Sequence, residues 1–110
     1  MLPFKPFPEM VAGVQVQDLT WDFELPSGVT LTGTPVVTVT ADNDDDPQSH
    51  VQSIAIGTAA YKDGRTGQAD AAIIARVGPV DAAVYTFTVS CARSDGQTAA
   101  AFNKLQGVSP

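Results

Sequence analysis

"YTFTVSCA", residues 85–92, is the segment on which the fold turns. Tyr85, Phe87, Val89 and Cys91 fall on one side of an extended chain, and Thr86, Thr88 and Ser90 on the other. That period of two is the mark of a half-buried strand. "RSDGQ" (93–97) follows, and its Asp95-Gly96 pair supplies a hairpin turn. Upstream, "GPVD" (78–81) turns the chain, and "DAAIIARV" (70–77) reads as a strand with Ala71, Ile73, Ala75 and Val77 inward.

Working outward, the same grammar recurs. "VQVQ" (14–17) places Val14 and Val16 inward, and "LTWDF" (19–23) places Leu19, Trp21 and Phe23 inward. The two runs have opposite parity, which predicts a bulge or break at Gln17–Asp18. "ELPSG" (24–28) is a turn, "VTLT" (29–32) a brief strand, "GTP" (33–35) a break, and "VVTVTA" (36–41) a second strand. "VQSIAIG" (51–57) puts Ile54 and Ile56 on one face, and "YKDGRTG" (61–67) is a loop or tight turn. The spacing of Ala99, Phe102 and Leu105 in "TAAAFNKLQG" (98–107) favours a short helix closed by Gly107. As a strand this segment requires an irregularity near Asn103. Short strands with turn signals every 8–12 residues, and no βαβ alternation, predict an all-β fold. The expected architecture is an immunoglobulin-like antiparallel β-sandwich of about seven short strands.

In front of that domain (14–110) stands an extended, Pro-rich arm, residues 1–13. Pro3, Pro6 and Pro8 exclude a helix interior or a central strand. Leu2, Phe4 and Phe7 ride on it as candidate contact residues. They either tuck under their own domain or enter a groove on another chain. The segment has no apolar core of the kind a signal peptide needs, and no stretch approaches a membrane span.

The 110 residues suit one domain able to bury a core, and the single cysteine, Cys91, excludes an intrachain disulfide. Net charge is −6, with six basic and twelve acidic residues, which argues against binding nucleic acid through its phosphates. No Lys or Arg lies between Lys5 and Lys62, whereas Glu9, Asp18, Asp22, Glu24, Asp42, Asp44, Asp45 and Asp46 all do. The acid-rich half is either a solvated surface or a patch that steers a basic partner.

"DNDDDPQSH" (42–50) is the segment that most resembles chemistry. Asp42, Asp44 and Asp46 match the opening of a calcium-binding EF-hand loop, but its sixth position is Pro47 instead of Gly and its twelfth is Ser53 instead of Glu. The expectation is a solvated loop with no metal, an irregular calcium site being the alternative. His50 and Cys91 are too few for zinc. Cys91, inward by parity, lacks the exposure of an activated nucleophile. No nucleophile elbow, dinucleotide-binding glycine pattern or P-loop occurs. Trp21 and Tyr61 would form a sugar-binding platform if exposed, but the parity of Trp21 places it in the core. No catalytic residue and no cofactor are expected.

"LPSGVTLTGTPVVTVTADNDDDP" and "VGPVDAAVYTFTVSCARSDGQT" resemble, in order and spacing, the front and closing signatures of the small phage fibre-tail adaptor, or neck, proteins. Gly78, Tyr85, Thr88, Ser94, Asp95, Gly96, Gln97 and Thr98 carry the second match. Asp81-Ala82-Ala83 departs from that family's glycine-containing turn. The resemblance spans most of residues 14–108 and tips 98–107 towards a strand. It implies a non-catalytic virion structural protein at the neck or tail, assembled in the host cytoplasm. Several copies, in a ring, would join fibre or tail components, with other virion proteins as partners and neither nucleic acid nor membrane. Asp42, Asp44, Asp45 and Asp46 are the further candidate contact residues. The alternatives are a capsid decoration protein and a module recognising carbohydrate or a host surface through its loops.

Overall fold

A computed structural model describes residues 2–110, with side chains from Phe4 onward. The chain is all-β. Its strands are β1 (Leu2–Pro3), β2 (Met10–Val11), β3 (Gln17–Asp22), β4 (Leu31–Ala41), β5 (Val51–Gly57), β6 (Ala72–Val77), β7 (Val84–Arg93) and β8 (Thr98–Val108), with a 3-10 turn at Pro47–His50 before β5. They form two sheets. One has the order β1-β8-β7-β4, with β2 also on β8, and the other the order β3-β6-β5.

The strand 85–92 organises the molecule as its alternation predicts. Tyr85, Phe87, Val89 and Cys91 are buried in the core. The hairpin at Asp95-Gly96 returns the chain in register from Ala92↔Thr98 to Val84↔Gln106. Gly96 takes φ +85°, and Arg93 N–H donates to the Gln97 carbonyl at 2.8 Å. Across the core, β6 buries Ile73, Ala75 and Val77, with Ala71 just before it, and β3 buries Leu19 and Trp21, with Phe23 just beyond it.

Three local expectations are corrected. Residues 98–108 are a strand, the alternative towards which the resemblance tipped them, and not the helix that the apolar spacing favoured. The irregularity expected of a strand at Asn103 does not occur, for Phe102 faces outward at 38% exposure and Asn103 faces inward at 3%. The polar residue is inside because Trp21 needs an acceptor there, its indole N–H donating to Asn103 Oδ1 at 3.0 Å. Next, the two strands expected at 29–32 and 36–41 are one strand, with a bulge between Thr32 and Val36. Gly33 turns through φ +75° and Pro35 sits inside the bulge, where no ladder donor is required. Finally, "VQVQ" is not a strand. Ala12–Val14 form a turn with Gly13 at φ +80°, β3 starts at Gln17, and Val14 is 70% exposed. The chain must leave the edge of one sheet and cross to the other here. Gly13 N–H is held by the Val80 carbonyl at 2.8 Å.

The proline-rich segment runs parallel to β8. Leu2 pairs with Ala101 and Pro3 with Phe102, and farther on Met10 pairs with Gly107 and Val11 with Val108. Phe4 N–H donates to the Phe102 carbonyl at 2.8 Å and Phe7 N–H to that of Lys104 at 3.0 Å. Proline is compatible with this position because the segment lies at a sheet edge and its outward donors are not needed. Its apolar side chains turn inward. Phe4 packs on Phe23 at 5.8 Å, and Phe7 is edge-on to Trp21 at 5.2 Å. Met10 is fully buried, a core role that the sequence reading did not assign to it.

Candidate functional site

The acidic loop joins β4 to the 3-10 turn, and its four aspartates have separate roles. Asp42 stays with the sheet: its Oδ1 accepts from Val84 N–H at 2.9 Å. Asp44 turns in. Its Oδ1 accepts from Asp46 N–H at 2.9 Å, and its Oδ2 accepts from the Tyr85 hydroxyl at 2.6 Å. His50 Nε2 lies 2.6 Å from the same oxygen, so it is the protonated nitrogen, donating to a carboxylate that can only accept. Asp45 and Asp46 project into water. Tyr85 closes the network, its hydroxyl accepting from Asp81 N–H at 2.9 Å while the ring lies edge-on to His50 at 5.8 Å.

Beside this network Gln48 acts as a substitute strand. Its amide accepts from Val39 N–H at 2.9 Å and donates to the Val37 carbonyl at 2.8 Å. Part of the exposed edge of β4 is thereby closed against pairing with other sheets.

The electrostatics follow from these contacts. The Tyr85 hydroxyl bond, then the Asp46 N–H, lower the Asp44 pKa from 3.8 to about 2, with His50 assisting and burial opposing. Tyr85 is shifted up, first by burial and then by its bond to the Asp44 carboxylate. Asp44 is therefore more acidic folded than unfolded. Its contribution to stability is present above the unfolded value near 4 and is lost as pH falls through about 2. Asp44→Asn is expected to cost about 1.5–3 kcal/mol at neutral pH, as for hydrogen bonds to a charged group. The melting temperatures of the two proteins should converge between pH 4 and pH 2. A gap as large at pH 2 as at neutral pH would rule this anchoring out.

An open cleft of about 360 Å³ lies over the loop, lined by Ala41, Asp42, Asn43, Asp44, Asp45 and Asp81. Asp44, His50 and Asp81 each bring one possible metal-ligand atom to within 4.8 Å of the others. Calcium favours six to eight oxygen ligands. Here the Asp44 oxygens already take three donors, and a cation would have to displace His50 and Tyr85. Millimolar calcium is therefore expected to leave the melting temperature unchanged, and a rise of several degrees would mean that the loop rearranges around the ion.

The other candidates separate in space. Cys91 is buried, its Sγ donates to the Thr32 carbonyl at 3.2 Å, and burial pushes its pKa up, the opposite of what a nucleophile needs. It lies six residues along β7 from Tyr85, on which His50 packs. At about 3.3 Å per residue this separates thiol and imidazole by roughly 20 Å. Trp21 is buried. Tyr61 is exposed, but its hydroxyl donates to Asp22 and the Arg65 guanidinium lies 5.7 Å over its ring, which obstructs a stacking platform. Phe4 and Phe7 are half-buried on their own core, and the side chain of Leu2 lies outside the described residues. Among the described residues no helix is long and apolar enough to cross a membrane.

The surface of the larger sheet was not read from sequence as a site. Its outer face carries the ranks Val36–Ser90–Ala100, Thr38–Thr88–Phe102 and Thr40–Thr86–Lys104. In a chain with twelve acids these ranks hold no carboxylate. The signal was present in the alternation of β7 and β4, whose outward positions Thr38, Thr40, Thr86, Thr88 and Ser90 are hydroxyl residues where charge would be expected. No family model matches this chain, and no match is found among the curated proteins or the solved structures.

Proposed function

We propose that this protein is a non-catalytic structural adaptor of a phage virion, an immunoglobulin-like domain that joins neck, tail or fibre components through its contact surfaces. The observation that carries the reading is the division of its surface. Carboxylates gather on the 42–46 loop, whereas the outer ranks of the larger sheet are rich in threonine and serine, hold no carboxylate, carry Lys104 as their one charge and leave Phe102 exposed. Covering such a face with protein removes little charge from water, and the acidic loop beside it favours a basic neighbour.

Three features support the fold assignment. The order β3-β6-β5 opposite β8-β7-β4 corresponds to strands B-E-D opposite G-F-C of an immunoglobulin-like sandwich. Tyr85 stands near the start of β7, the F equivalent, and its hydroxyl accepts a backbone N–H four residues upstream, as in a tyrosine corner. The sequence likeness to the fibre-tail adaptors spans the same residues. Asp45 and Asp46, with Asp42, are the loop carboxylates offered to a partner, and Asp44 holds the loop in place.

The test is the composition of purified particles. The protein is expected in multiple copies per virion by quantitative mass spectrometry, concentrated at the neck or tail by labelled electron microscopy. Its absence from particles, or an even distribution over the capsid shell, defeats the adaptor assignment.

A further inference from the structure

The proline-rich segment occupies a slot made by the rest of the chain. Phe4 meets Phe23, Phe7 meets Trp21, Met10 is fully buried, and the backbone pairs with β8. Nothing in this set of contacts requires segment and slot to belong to one molecule. What keeps them together is the connector after Val11. It is turned at Gly13 and closed by Val11 N–H donating to the Gln15 side chain at 2.7 Å and by Gln15 N–H donating to the Val11 carbonyl at 3.3 Å.

The connector is also where sequence and structure conflict. "VQVQ" alternates as a strand does, yet it is held in a turn and an adjoining irregular stretch, with Val14 70% exposed. β-Branched residues in period-two alternation favour extended backbone, and a turn that overrides them is a local frustration. Extending residues 12–16 removes the conflict and carries β2 up to about 16 Å from its own β3. That reach allows the segment to leave its own slot.

We infer that residues 2–11 are exchanged between copies of this chain: the connector opens, and the segment of one copy fills the slot of the next. Each copy then depends on its neighbour for Phe7 and Met10. This deepens the adaptor reading, on which it rests, by making a second copy the subunit that the arm engages. Pro3, Pro6 and Pro8 assist by keeping a released segment stiff and extended, which lowers the entropy lost on docking. A slot filled by its own segment competes at a millimolar effective concentration, so exchange is favoured where copies are crowded, as in an assembling particle.

Val11 and Val108 are partners across the β2–β8 pair. Val11→Cys and Val108→Cys, made in separate proteins and mixed, can come together at that pair only after exchange. Mixed at micromolar and then near-millimolar concentration and oxidised, they are expected to give a mixed disulfide dimer. Its yield should rise nearly in proportion to concentration, by more than about a hundredfold over that range, and exceed the dimers formed by either variant alone. A second variant lacking Val14 and Gln15 cannot make the turn. It is expected to be dimeric or larger by light scattering, with a β-rich spectrum. Mixed dimers no more abundant than the homodimers at every concentration overturn the inference, whether or not the shortened variant folds. The double variant, locked within one chain by oxidation, separates the two readings. If the locked protein enters particles at the wild-type level, exchange fails and the adaptor stands. If mixed dimers form but the wild-type protein is absent from particles, exchange stands without the adaptor.

Discussion

Gly107→Ala is expected to lower stability by about 3 kcal/mol, the upper end for overpacking a rigid site, and the melting temperature by roughly 10 °C or more. The reason is purely steric. A Cβ at Gly107 would stand 1.9 Å from the Asp81 carbonyl oxygen, which is backbone, and 3.1 Å from Val80 Cγ2. Neither can yield cheaply. The same turn supplies the Ala83 carbonyl that accepts from Gly107 N–H at 2.9 Å, and Val80 is buried. Relief would require β8 to lift from the 80–83 turn, and Met10, paired with Gly107, would lift with it. Gly13→Ala is the control. That position has φ +80° but nothing within 4 Å of a new Cβ, so it should cost only the backbone strain, about 1 kcal/mol. Thermal melts of the two variants test the contrast. Equal effects would mean that β8 and the 80–83 turn are not in contact.

Asn103→Leu is the second large effect, expected at about 2–4 kcal/mol although it replaces a polar core residue with an apolar one. The substitution leaves the buried Trp21 indole N–H without its acceptor and removes the amide that donates to the Lys5 carbonyl at 3.3 Å. Asn103 therefore joins three parts of the molecule: β3 through Trp21, its own strand β8, and the proline-rich segment through Lys5. Trp21→Phe alone removes the indole donor, and combining it with Asn103→Leu removes both partners, which is close to neutral for the hydrogen bond itself. Denaturant unfolding of the four proteins in a double-mutant cycle should return a coupling of about 1–2 kcal/mol. A coupling near zero would mean that Asn103 is tolerated in the core for some other reason than this bond.

Both variants bear on the proline-rich segment. Gly107 pairs with Met10 and Asn103 donates to the Lys5 carbonyl, so each should loosen the segment from its own slot as well as weaken the core. Phe7, edge-on to Trp21, makes indole fluorescence a local reporter of that loosening.

Particular residues divide what was legible in the sequence from what was not. The alternation of Tyr85, Phe87, Val89 and Cys91, of Ala71 to Val77, and of Leu19, Trp21 and Phe23 determined the strands and their buried faces. A half-buried strand writes its orientation directly into a period of two. The hairpin at Asp95-Gly96 was equally local, because a turn's φ requirement selects its residues. Tertiary structure alone decided the rest. Asn103 went inside and Phe102 outside because a tryptophan N–H on another strand needed an acceptor, which no window of β8 contains. "VQVQ" was bent because the chain had to cross between sheets. Asp44 became an anchor and its neighbours stayed solvated because only Asp44 reaches Tyr85 and His50, and the five-residue acidic stretch cannot say which carboxylate will meet a hydroxyl forty-one positions away. Strand periodicity is a property of neighbours in sequence, whereas the satisfaction of a buried polar group is a property of neighbours in space.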